Sequence, residues 1–169
     1  MDTTAYVALS RQVALQRQMT EVATNIANAA TSGYKAEHTL FETVLQRAGE
    51  PRRVAFVQDV GQVRDLRDGP LVATGNPLDL AISGAGYFGV ATPNGPRFTR
   101  SGHFELDARG ELVTADGHPV LDEGGAPIAV PPGERRISVT PEGIIAAGRA
   151  VGGRLAIVSF ENEQALRRE

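Results

Sequence analysis

The sequence has no cysteine. That absence excludes disulfides, thiolate nucleophiles and thiolate metal sites. It leaves the compartment open, because a cytoplasmic protein and an exported one held without disulfides fit it equally. Long apolar runs are missing too. No window approaches the ~20 apolar residues of a membrane helix, so no transmembrane segment is expected. The opening MDTTAYVALSRQ has neither a basic n-region nor a continuous apolar core, and does not read as a Sec signal peptide. Export would need another route. An excess of one charge is also missing: 17 basic and 20 acidic residues leave a formal charge of -3. A dedicated nucleic-acid binder shows a basic face or stripe. The pairs Arg52-Arg53, Arg135-Arg136 and Arg167-Arg168 are short enough to be solvated surface charge.

What is present is punctuation. Nineteen glycines and ten prolines fall mostly after residue 48, and aromatics make up 5% of the chain. Such punctuation suits short strands joined by tight turns. The 169 residues are enough for one ordinary domain plus extra material, with a core that needs no staples. Residues 3–29 form the one long segment without glycine or proline, preceded by N-capping side chains at Asp2, Thr3 and Thr4. Within it Ala8, Leu15, Val22 and Ala29 recur every seven residues, and Gln12, Met19 and Ile26 interleave at the same spacing. That is a heptad seam, weakened at Gln12 and narrow at its alanines. Tyr6, Leu9 and Val13 form a second apolar strip beside it. An isolated helix of this length is marginal in water, so it needs either this chain's β region or other chains as partners.

Three regions are expected: an N-terminal helix over 1–30, an extended connector over 31–75, and an antiparallel β domain over 76–169. Thr31-Ser32-Gly33 ends the helix, with Gly33 in a left-handed position. In the connector, Phe41, Val44 and Leu45 suggest a short helical turn, and Val54, Phe56, Val57, Val60 and Val63 suggest one or two strands. Gly49-Glu50-Pro51 and Asp68-Gly69-Pro70 punctuate it. From residue 76 onward Leu78, Leu80 and Ile82 alternate as a half-buried strand, and turn signals recur about every ten residues. Further strands are expected near 137–139, 144–147 and 154–160. The fold class is mainly antiparallel β, in short strands and hairpins, with one long N-terminal helix.

The apparent chemical signals are weak. Gly84-Ala-Gly86-Tyr-Phe-Gly89 spells the dinucleotide fingerprint, but that motif works at a helix N-terminus, and here an apolar-aromatic strand follows. It reads as a glycine turn between strands, with no cofactor. His38, His103 and His118 show no HxH or HExxH spacing, so no metal site is expected. Asp79, Asp107, Asp116 and Asp122 lie near turns, where aspartate commonly bonds to the backbone. Ser83 lies outside a GxSxG elbow. No catalytic constellation and no small-molecule substrate follow from these residues.

Two stretches resemble a known family. ATNIANAATSGYKAEHTLFE, residues 23–42, is similar to the N-terminal signature of flagellar basal-body rod and hook proteins. Asn25, Ile26, Ala27, Asn28, Thr31, Gly33, Tyr34 and Lys35 match its A-N-N-[IL]-A-N helix end and T-x-G-[FY]-K turn, while Thr24 stands where the family carries asparagine. TGNPLDLAISGAGYFGVATPNGPRFTRSGHFELDARGELVTADGHPVL, residues 74–121, resembles the family's G-N-P-L-D segment and the turns after it. Gly75, Asn76, Pro77, Leu78, Asp79, Gly84, Gly86 and Phe88 carry that match. The opening MDTTAYVALSRQVALQRQM is most similar to the family's proximal-rod branch; a distal-rod or hook-type member is the alternative.

The resemblance implies a non-enzymatic subunit of the flagellar drive shaft that assembles with copies of itself and with other rod subunits. It implies export by the flagellar type III apparatus and a place in the rod, spanning the periplasm. On that reading Leu15, Met19, Val22 and Ile26 form the assembly seam, and Ala23, Ala27, Ala29 and Ala30 permit close approach. Asn25 and Asn28 satisfy polar groups between helices. The family carries a C-terminal heptad helix that packs on the N-terminal one. None follows the strand-like 155–160 before Glu169, which reads as truncation or as a shortened paralogue. From a different class, a β module binding a cell-wall glycan predicts an aromatic-lined cleft, for which aromatics are few. A small enzyme predicts a polar pocket with converging titratable groups.

Overall fold

The computed structural model describes residues 3–47, 53–131, 137–148 and 150–167. Asp2, Gly49-Glu50-Pro51, Arg52, Arg135-Arg136 and Arg168 lie outside them. The chain forms two compact units, one of Met1–Ala30 with Lys35–Arg67, the other of Thr31–Tyr34 with Asp68–Glu169.

The first unit holds helix α1 (Thr3–Ala27) and the strands β1 (Glu37–Arg47) and β2 (Arg53–Arg64). β1 and β2 pair antiparallel along their whole length, from Glu37 opposite Arg64 to Arg47 opposite Arg53. Between Leu40 and Phe41 the register shifts: Leu40 faces Gly61 and Phe41 faces Asp59, leaving Val60 as the extra residue of a bulge. Gly61, at φ 153°, supplies the backbone freedom beside it. Residues 41–45, expected as a helical turn, are strand. Pairing with β2, from Phe41 opposite Asp59 to Leu45 opposite Ala55, decides the conformation. Helix α1 packs against both strands.

The helix also stops earlier than its glycine suggests. It ends at Ala27, and the backbone amides of Asn28 and Ala29 bond to Thr24 and Ile26 carbonyls at 3.1 Å. Gly33, at φ 72°, belongs instead to a separate turn closed by the Tyr34 amide on the Thr31 carbonyl. A positive φ in the third place of a turn favours glycine there.

The second unit is antiparallel β. β3 (Tyr87–Thr92) pairs with β4 (Gly95–Thr99) across the turn at Pro93-Asn94, and with β10 (Ile157–Val158) on its other side. β5 (Phe104–Leu106) pairs with β6 (Leu112–Thr114), and β8 (Ile144–Ala147) lies between β7 (Ile137–Val139) and β9 (Ala150–Arg154). The expected strand over 154–160 is therefore two short strands with Leu155-Ala156 between them. Isolated bridges such as Val90 to Val120 and Glu111 to Ala129 join the small sheets. Their shared core contains Phe88, Phe104, Leu112, Val120, Ile128 and Ile145, all fully buried. Phe88 and Phe104 meet edge-on with ring centroids 5.1 Å apart.

Leu78, Leu80 and Ile82 pack on this core, as their alternation suggests, yet they form no regular strand. The segment is held by single bonds instead: the Leu80 amide donates to the Gly102 carbonyl at 2.8 Å, and the Phe104 amide to Leu78 at 3.4 Å. A Cβ on Gly102 would collide with the Leu80 carbonyl. Side-chain alternation reports burial by faces, and an irregular chain with one bond per two residues satisfies it as well as a ladder does.

Gly102→Ala is expected to destabilise the β unit by about 1–3 kcal/mol, the usual cost of overpacking. Gly69→Ala, with no atom within 4 Å of the new Cβ, serves as the neutral control. Urea unfolding followed by circular dichroism compares the two.

Candidate assembly face of the N-terminal helix

A helix turns 100° per residue, so the apolar and polar positions of α1 separate into faces. The half-buried residues are Val7, Ser10, Ala14, Glu21, Asn25 and Asn28, one stripe of small and polar side chains apart from Val7. Leu15, Met19, Val22 and Ile26 are between 51% and 74% exposed, on a face roughly 120° away. They line one open depression together with Gln18 and Ala23. Tyr6, Leu9 and Val13 are also exposed, on the remaining side. This inverts the ordinary amphipathic helix, whose apolar stripe faces its own core.

Polar bonding explains the orientation. Asn25 Nδ2 donates to the Glu37 carbonyl at 2.9 Å, and the Glu37 amide donates back to Asn25 Oδ1 at 3.3 Å. The side-chain amide thus pairs with the start of β1 as a neighbouring strand would. One turn earlier, Glu21 Oε2 accepts the Thr39 amide at 2.8 Å, and His38 Nδ1 lies 3.4 Å from Glu21 Oε1. Hydrogen bonding from Thr39, with the nearby His38, holds the Glu21 carboxyl below the usual carboxylate range. Asn28 bonds only locally, its Nδ2 donating to the Thr24 carbonyl at 2.9 Å. The partner of Asn25 is thus the backbone of β1, within the same chain.

The remaining signature residues have structural roles as well. Lys35 Nζ donates to the carbonyls of Leu66 and Arg67 at 2.9 and 2.8 Å, tying the start of β1 to the chain beyond β2. Asp65 accepts three bonds from the Arg67 guanidinium, which pulls its pKa well down. In the second unit, Asn76 to Asp79 form a turn closed by the Asp79 amide on the Asn76 carbonyl, with Pro77 in the place that fixes φ. Gly75 precedes it at φ 82°. Thr74 Oγ1 donates to Asp79 Oδ2 at 2.6 Å and Asn76 Nδ2 to Asp79 Oδ1 at 3.0 Å. His103 Nδ1 stands 2.7 Å from the same Oδ1. These contacts, led by Thr74, lower the Asp79 pKa. The polar groups of Thr74, Asn76 and Asp79 thus bond to one another.

Gly84 and Gly86 have positive φ and open directly into β3, where Phe88 is buried. A Cβ on Gly86 would meet Ile157 Cγ2 at 2.7 Å, so this glycine serves strand packing. Asp107 and Asp122 each accept two backbone amides of their own loops, as turn aspartates do. Among the described residues no group of three or more His, Asp or Glu side chains is arranged to hold a metal ion. None of their helices is long and apolar enough to cross a membrane. The sequence did not single out Glu21 or the contact of His103 with Asp79; Glu21 carried the signal of a carboxylate on the Asn25 stripe, one turn away.

One long N-terminal helix ahead of antiparallel β-sheet is a rod- and hook-like architecture. Residues 6–35 match the family model described as flagella basal body rod protein, and residues 81–147 that of the flagellar hook protein FlgE/F/G D1 domain. The chain is 41% identical over 162 residues to the flagellar basal-body rod protein FlgF of Caulobacter vibrioides, covering 94% of this chain and 66% of that protein. It is 43% identical over 145 residues to FlgF of Rhizobium meliloti, covering 86% and 60%. It is 33% identical over 184 residues to the rod protein FlgG of Agrobacterium fabrum, covering 95% and 69%. The chain belongs to the flagellar basal-body rod protein family. It spans 60–66% of the length of the FlgF relatives it matches here.

Asn25→Ala is expected to speed exchange of the Glu37 amide at least tenfold, with core amides of the β unit unchanged, as hydrogen exchange by NMR would record. Acid acts at the neighbouring contact. Because the folded-state pKa of Glu21 is lowered, its contribution is fully present above the ordinary glutamate value of about 4.3 and is lost as pH falls through the lowered value. Protection of the Thr39 amide should fall over that range, and in Glu21→Gln it should not vary with pH there.

Proposed function

We propose that this chain is a non-enzymatic structural subunit of the bacterial flagellar rod, polymerising through α1 and transmitting torque from motor to hook. The observation that carries the reading is the outward apolar face of Leu15, Met19, Val22 and Ile26, on a helix already docked by its polar side. Burying that face stabilises a contact by roughly 25 cal/mol per Å² of apolar surface. Repeated between identical neighbours that do not close on a two-fold axis, such a contact builds a helical tube. Ala23, Ala27, Ala29 and Ala30 permit close approach at its end.

The partners on this reading are copies of the chain and other rod subunits, and the location is the rod within the periplasm. Export on this reading runs through the flagellar type III apparatus. The similarity to proteins named FlgF supports a proximal place in the rod. The match to FlgG over 95% of the chain favours a second reading, a distal-rod or hook-type position in the same shaft.

Ile26→Asp, introduced into the protein in its own bacterium, is expected to abolish rod assembly and swimming without lowering the amount of protein made. Normal motility in that strain would contradict the assignment of the face.

A further inference from the structure

The chain enters the β-rich unit twice, as Thr31–Tyr34 and again from Asp68 onward. Both passages arrive at one residue, Arg100, which follows β4 directly. Gly33 lies against its backbone: a Cβ there would stand 2.5 Å from the Arg100 carbonyl carbon and 2.7 Å from the Ser101 nitrogen. Asp68 meets its side chain, with Arg100 Nη2 donating to Asp68 Oδ1 at 2.6 Å. The second oxygen of Asp68 accepts the Gly84 amide at 3.0 Å.

The guanidinium is placed for this. Its other terminal nitrogen, Nη1, donates to the Gly86 carbonyl at 2.5 Å. Its carbon lies 5.8 Å from the centroid of the Tyr87 ring, whose hydroxyl donates to Glu163 Oε2 at 3.0 Å. The Arg100 side chain is only 10% exposed. A planar fork can reach a carboxylate and a carbonyl in two directions at once, while a lysine ammonium is a single point charge.

We propose that Arg100 is the common anchor of both entering passages, binding one through its backbone and the other through its guanidinium. Load carried along the chain into this unit is then delivered to β3 and β4 at a single point. The load-bearing role rests on the rod reading; the anchor itself does not.

Amide exchange in the dilute chain tests the anchor apart from assembly. Asp68→Ala should speed exchange at Gly84 at least tenfold, with the core amides of Leu112 and Val120 unchanged. Gly33→Ala touches neither Asp68 nor Gly84, yet by pushing on the Arg100 backbone it should speed Gly84 exchange threefold or more. A wild-type Gly84 rate in either variant overturns the proposal. Arg100→Lys leaves the backbone against Gly33 intact and removes the fork. It should speed Gly84 at least tenfold, and an unchanged rate overturns the proposal even where Gly33→Ala fails to fold. These rates do not depend on polymerisation, so a motile Ile26→Asp strain would overturn the assembly face and leave the anchor standing.

Discussion

Asn25 exchanges two hydrogen bonds with the backbone of Glu37, and the direction in which α1 turns its apolar side follows from that pairing. A helix is free to roll about its axis until something selects one face. Here the selection is made by polar groups, with Glu21 fixing the Thr39 amide one turn before. The docked stripe contains Ser10, Ala14 and Asn28 besides, with Val7 its one apolar residue larger than alanine. The large apolar residues are left outward. The helix is thus held by directional bonds, and its non-directional hydrophobic surface stays available for association.

The β unit follows a different rule. Its core of Phe88, Phe104, Leu112, Val120, Ile128 and Ile145 is gathered from short strands and isolated bridges, so no long ladder supports it. Close backbone approaches take the place of ladders. Gly102 lets the Leu80 segment lie against the chain before β5, and Gly86 lets β3 meet Ile157. The turns are closed by their own side chains, Asp79 in one and Asp107 and Asp122 in two others. A fold built this way spends few residues on regular structure and many on specific glycines and aspartates. That is why its turn segments make long, recognisable motifs.

Much of this was legible in the residues. The heptad seam predicted a long helix, and the strands expected near 137–139 and 144–147 are β7 and β8. The glycines before Tyr87 read correctly as a prelude to a strand. Three points were not legible. The hairpin of β1 and β2 is fixed by long-range pairing across residues 37–64: composition suggested strand over Val54–Val63, where β2 lies, but a helical turn where β1 lies. The helix terminates at Ala27, and Gly33, which looked like its stop signal, serves a turn packed on Arg100. The pairing of Asn25 with Glu37 could not be read either, since an asparagine at a helix end bonds equally well to its own helix, as Asn28 does.

Helix α1 is docked through its polar stripe with its apolar stripe facing out. The absence of native cysteine makes the most direct measurement possible: single cysteines placed along the helix, with their thiol-labelling rates compared in the dilute protein. Fast labelling, close to that of an unfolded peptide, is expected for Met19→Cys and Val22→Cys, and labelling at least tenfold slower for Ala14→Cys. Slow labelling at 19 and 22 with fast labelling at 14 would mean that the helix docks through its apolar seam, and would contradict docking through the polar stripe.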